Sequence, residues 1–265
     1  MIHKHTIDLS YGLRHALRAL RTSLRKFGSL EEIAITRPGR YAGSLFSDEL
    51  SVIFEALCCL PGLHTVTIDF DGSILPVFLL RRMLEGAMDL NQLNLLNVRL
   101  SGDLEDFEEL EHALGSHDAL EGVRLVDCKV GKDGSFICDD QETKKIHTKQ
   151  IPRIFCRPRN LQRLWLQECH DSHIVGVAQA LEQHQTKLKE LSILSSKIGD
   201  PGVESIARML KTNTTLEELN VTLFRGHALR VAESVHDSST LKKLTCNILI
   251  PASKPALVTD GPKRI

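Results

Sequence analysis

The chain lacks an excess of charge of either sign: 33 lysines and arginines face 34 aspartates and glutamates, for a formal net charge of -1. Non-specific binding to nucleic acid or to acidic lipid leaves a basic excess, so neither partner is expected. A long apolar run is also missing. No segment approaches the roughly 18 apolar residues needed to cross a membrane, and the opening MIHKHTIDLSYGLRHALRAL has no apolar core of a secretion signal. The seven cysteines are odd in number and fall at different kinds of position, which argues against a disulfide framework and for reduced thiols in the cytoplasm, with the nucleus as the other possibility. Without a secretion signal, the sequons at Asn213 and Asn220 read as structural.

Catalytic patterns are missing too. Gly131-Lys132-Asp133-Gly134-Ser135 has the flavour of a phosphate loop, but the second glycine does not directly precede Lys and Ser or Thr. Cys128, Cys138, His147, Cys156, Cys169, His170 and His173 carry metal-binding atoms, yet their gaps do not match the paired short spacings of structural zinc sites. No set of Ser, His and Asp stands out. The expectation is a protein without enzyme activity, cofactor or metal.

What is present is a recurring apolar pattern. With 42% apolar and 25% charged residues, the chain can build a continuous core. From Leu188 to Leu219, Leu188, Leu191, Ile193 and Ile198 keep the spacing LxxLxLxxxxI, so Leu191 and Ile193 point inward from a short strand. Asp200 is placed to cap a following helix, Pro201 to open it, and Val203, Ile206, Ala207 and Leu210 to form its apolar face. Similar strand starts occur at Leu30, Leu63, Leu90, Leu120, Leu161, Leu188, Leu216 and Leu241, preceded by a partial one with Ile7 and Leu9. One such segment cannot bury its own apolar faces, so neighbours must stack on it.

This pattern resembles the long leucine-rich repeat of the ribonuclease-inhibitor-like class, also found in NOD-like receptors and the Ran GTPase-activating protein. The match is most specific at Ile198-Gly199-Asp200 and Asn213. The resemblance implies an α/β leucine-rich repeat solenoid over residues 1–250, a horseshoe with a parallel sheet of about nine strands on its concave side and helices on its convex side. It also implies a buried Cys or Asn at the turn after each strand, where Cys128 and Cys169 stand. The interval from Leu120 to Leu161 is 41 residues against 25 to 33 elsewhere, so an insertion near 129–160 is expected. Residues 251–265, with three prolines and no period, should form an irregular or mobile tail.

Two helices carry charge. Arg14, Arg18, Arg21, Arg25 and Lys26 line a helix expected over 12–26, and six acids lie between Asp103 and Glu111 beside Leu104, Phe107, Leu110 and Leu114. Both read as solvated faces. An edge strand within the first ten residues leaves apolar surface without a polar cap, so this end should be covered, self-associate, or belong to a fragment of a larger protein.

Strand alternation points to the site. Residues between the two inward leucines are Asp8, Ala34, Thr67, Asn94, Arg124, Trp165, Ser192, Asn220 and Thr245, and all should face the open side. Trp165, the only tryptophan, then lies with Leu96, Val126 and Leu194, ringed by Arg124, Arg163, Gln167 and Glu190. An apolar anchor with a polar rim is the pattern of a protein-binding patch. The expected function is a non-enzymatic scaffold that binds a protein partner through the concave face. The resemblance also suggests two alternatives, a regulator of a small GTPase or a sensor fragment of a NOD-like receptor-type protein.

Overall fold

The computed structural model describes residues 4–9, 15–20, 22, 30–37, 47–130, 154–169, 171–183, 186–196, 198–236 and 238–249. It is a mixed α/β structure built on an open, parallel, nine-stranded sheet. In sheet order the strands are β1 (Lys4–Asp8), β2 (Glu32–Thr36), β3 (Thr65–Asp69), β5 (Gln92–Leu96), β7 (Gly122–Val126), β9 (Arg163–Gln167), β10 (Glu190–Leu194), β11 (Glu218–Phe224) and β12 (Lys243–Leu249). Within this sheet each strand thus lies beside the member that precedes it in the chain, and β1 and β12 are the edges. Three short strands, β4 (Ile74–Pro76), β6 (Arg99–Ser101) and β8 (Lys129–Val130), form a second parallel sheet. Six helices follow the strands: α1 (Ser47–Cys58), α2 (Val77–Gly86), α3 (Leu104–Ser116), α4 (Asp171–Glu182), α5 (Asp200–Thr212) and α6 (Arg225–Val235). Residues 15–20 are also helical.

The alternation in sequence sets the two faces. Ile33, Ile35, Val66, Ile68, Leu93, Leu95, Val123, Leu125, Leu164, Leu166, Leu191 and Ile193 are buried, and with the inner residues of the helices they form one apolar cluster. The strands pair in register, so equivalent residues stack in rows: Leu93 opposes Val123, which opposes Leu164, which opposes Leu191. The intervening residues lie on the face away from the helices. Among the described residues, no helix is long and apolar enough to cross a membrane.

Four central strands, β5, β7, β9 and β10, share one exit. Asn97, Asp127, Glu168 and Ser195 each stand two residues after the second inward residue and adopt a left-handed backbone, with φ of 51°, 46°, 56° and 50°. Asn and Asp tolerate that region better than most side chains. Three of these residues donate a backbone N–H to the neighbouring strand, Asn97 to Val126 O at 2.8 Å, Asp127 to Gln167 O at 3.0 Å and Glu168 to Leu194 O at 3.1 Å. The chain then dives inward, burying Val98, Cys128, Cys169 and Ser196. Cys128 Sγ donates to Leu95 O at 3.2 Å, and Ser196 Oγ accepts the N–H of Cys169 at 3.0 Å.

The far ends of the helices use polar plugs. Asn213, 3% exposed, donates from Nδ2 to Leu181 O at the end of the preceding helix, 3.0 Å away, while its Oδ1 accepts the N–H groups of Thr215 and Leu216. His117 occupies the same position after α3 and is equally buried. Its Nε2 donates to Ala87 O at 3.1 Å, and its Nδ1 has no hydrogen-bond partner among the described residues. These side chains satisfy carbonyls that a helix end leaves open.

Three expectations need correction. Ile7, not Leu9, is the second inward residue of β1: Ile7 opposes Ile35 and His5 opposes Ile33, which shifts the strand by two residues. Leu9 is buried past the strand end, the place Phe70 takes after β3. Leu104 is 48% exposed because it is the first residue of α3, outside the stripe of Phe107, Leu110, Ala113 and Leu114. The cap of α5 is Gly199 rather than Asp200, whose carboxylate instead meets Arg230 at 2.9 Å. In the expected insertion, Lys129 joins the second sheet and Ile154, Phe155 and Cys156 are buried in the core, while 131–153 lie outside the described residues. Outside them too are Arg14, Arg21, Arg25, Lys26, the 38–46 loop and the 251–265 tail.

Replacing Asn213 by Ala leaves a buried carbonyl and a buried N–H unpaired, and should destabilise the protein by about 3 kcal/mol in urea unfolding. His117 has its pKa lowered chiefly by burial, below the ordinary 6.5. A depressed histidine pKa means that the unfolded chain binds the extra proton first, so stability should fall as pH drops through about 6.5 and below. The unfolding midpoint of the H117Q variant should show less pH dependence between 7.5 and 5 than that of the native chain; equal slopes would exclude His117 as a contributor.

Candidate functional site

The rows of the open face come from the in-register ladder. Thr67, Asn94, Arg124, Trp165, Ser192, Asn220 and Thr245 form the middle row. Thr6, rather than the expected Asp8, precedes Ala34 at its start, because of the shift in β1. Gln92, Gly122, Arg163, Glu190, Glu218 and Lys243 form the row before it, and Leu96, Val126, Gln167 and Leu194 lie in the row after it. All eight residues expected at the site therefore lie on one face of four adjacent strands.

Trp165 is half-buried and is the one aromatic side chain of its row, with the aliphatic Leu96, Val126 and Leu194 in the next row of the same face. Its indole N–H donates to Glu190 Oε1 at 3.2 Å, and the Arg163 guanidinium lies over its ring, 5.6 Å from the centroid. These two contacts fix the ring from both sides, one by a charge-assisted hydrogen bond and one by a cation–π contact. Ser192, expected on the open face, is only 3% exposed. It is a small residue set in register between Trp165 and Asn220, whose larger side chains rise past it.

Beside the ring is a depression of about 440 Å³ lined by Gln92, Asn94, Arg124, Trp165, Leu166, Gln167 and Leu194. Leu96 and Val126, both half-buried, belong to the same face but not to its lining. Sequence reasoning did not single out Gln92 and Asn94. Their contribution depends on Gly122: a Cβ there would come 2.0 Å from Gln92 Oε1. The bare glycine lets Gln92 lie across the sheet and donate to Asn94 Oδ1 at 2.9 Å, and Asn94 donates in turn to Thr67 Oγ1 at 2.9 Å. The signal for Gln92 was its place just before an inward residue, the same place that had identified Arg163 and Glu190.

Chemically, the arrangement offers an apolar ring, an aliphatic wall, neutral amides and a guanidinium. Such groups make apolar, hydrogen-bonded and ionic contacts. Among the described residues no three His, Cys, Asp or Glu side chains gather as a metal site, while Cys138, His147 and His170 lie outside those residues. Cys128 and Cys169 are buried in the turns, and burial pushes both thiols up to about 12.

A thiol of pKa about 12 is thiolate to only about one part in 10⁵ at pH 7, so neither Cys128 nor Cys169 should react with a maleimide in the folded protein. Exposed Cys59 should be modified first among the described thiols. Mass mapping after a brief pulse would test this, and early modification at Cys128 or Cys169 would contradict it. In comparisons with known proteins, no family model and no curated protein matches this chain.

Proposed function

We propose that the chain is a leucine-rich repeat solenoid of the ribonuclease-inhibitor-like kind and that it binds a protein partner through the open face of its sheet, without catalysing a reaction. The repeat reading is supported by chain-order strand pairing, by helices that pack on the next one along in two runs, α1 to α3 and α4 to α6, and by the turn shared by four central strands and the helix-end plugs at His117 and Asn213. A stacked array of this kind carries a rigid surface whose residues are free of core duties.

The observation that carries the binding reading is Trp165. A tryptophan held by Glu190 and Arg163 at the wall of a depression is pre-ordered, so binding would cost it little rotamer entropy. Tryptophan and arginine are also the residues most often found at energetic centres of interfaces. The test compares proteins captured from cell extract by the native chain with those captured by Trp165→Ala and Leu194→Asp. Partners bound through this face should be lost from both variants, with affinity reduced about 30-fold or more for Trp165→Ala, while the thermal midpoint barely moves. Retention of every partner by both folded variants would exclude this face as the interface.

A further inference from the structure

The charges of the open face are distributed unevenly. Toward its edges Lys4 pairs with Glu32 at 3.4 Å and Lys243 with Glu218 at 2.8 Å, while Asp69 accepts from Asn97 Nδ2 at 3.1 Å. At the centre the balance changes. Glu190 is engaged by the Trp165 N–H, and Arg163 lies on the ring. Arg124 is exposed and has no ion-pair or hydrogen-bond partner among the described residues. It is the only ionisable side chain in the middle row, where its register neighbours are Asn94 and Trp165.

From this charge distribution we infer that the site takes an acidic peptide segment of the partner, with a carboxylate on Arg124 and an adjacent aliphatic side chain against Trp165 and Leu194. The inference rests on the binding role proposed above and names the chemistry of the partner. A guanidinium matches a carboxylate with two parallel N–H donors, and here no internal acid competes for it. Arg163, over the Trp165 ring, adds a second positive charge. The amides of Gln92, Asn94 and Gln167 line the same depression and offer donors and acceptors to a peptide backbone. Lysine-rich segments would meet two arginines with no free acid between them.

Trp165 reports on this site without a label, since the chain has one tryptophan. Its emission is followed while the full chain is titrated with acetyl-Gly-Glu-Glu-Leu-Glu-Glu-Gly-amide, with peptides in which lysine or glutamine replaces every glutamate, and with an eight-nucleotide oligouridylate. The glutamate peptide should give a saturable change at concentrations at least tenfold below those of the glutamine peptide, and the lysine peptide should give none. Arg124→Glu should weaken the glutamate response at least tenfold with no change in thermal midpoint, and Arg124→Lys should keep part of it. Equal responses to the glutamate and glutamine peptides, unaffected by Arg124→Glu, would overturn the acidic preference and leave binding by the open face standing. A stronger response to the lysine peptide would do the same. A response to oligouridylate alone would reassign the site to nucleic acid, and silence toward all four probes would overturn both the acidic preference and the binding role.

Discussion

The structure depends on the in-register pairing of parallel strands. A parallel strand cannot pair with the segment just before it, because the chain must first cross back over the sheet. Each crossing here is made by a turn and, wherever its course is described, a helix, and it returns the next LxLx segment to the same height, so Leu93, Val123, Leu164 and Leu191 stack as one row. Once that row is buried, the rows on either side of it are committed to the other face. Trp165, Arg124 and Asn94 are neighbours for this reason alone, though they are far apart in the chain.

The pairing also explains which parts of the fold were legible in the sequence. Apolar alternation identified the inward residues of β2, β3, β5, β7, β9, β10 and β11, because burying the wrong face would expose a whole row to water. It misplaced β1, where His5 takes an inward position and Leu9 lies beyond the strand. Both Ile7 and Leu9 are apolar and two residues apart, so alternation admits either register, and only pairing with β2 decides. The second sheet was not legible. Its strands of two or three residues are too short to carry a period, and they form because the left-handed turns at Asn97 and Asp127 leave equivalent backbone at the same height.

The same limit applies at the site. Alternation placed all eight candidate residues on one face, but not the contacts among them. That Arg163 covers the indole while Arg124 stays open follows from their separate rows, and that Gln92 lies flat follows from the missing side chain at Gly122 on the neighbouring strand. The Trp165–Glu190 and Gln92–Gly122 contacts join residues on different strands, 25 and 30 positions apart. No local pattern encodes them, and they emerge only when the register is known.

The core and the open face are under opposite demands. The inward positions of β2 to β10 are apolar and packed together, and the turns after β5, β7, β9 and β10 each take a left-handed residue followed by a buried group, so little there can vary without loss of packing. Positions on the open face owe the fold only a place in the ladder, and their backbone hydrogen bonds do not depend on the side chain. Trp165 is held there by Glu190 and Arg163 but keeps part of its apolar surface open, and Arg124 beside it is exposed without a counter-charge among the described residues. Thr67 and Asn220 hold the same row elsewhere in the ladder, so the row itself does not call for a tryptophan beside an arginine, and it is on this pair that the proposed binding role rests.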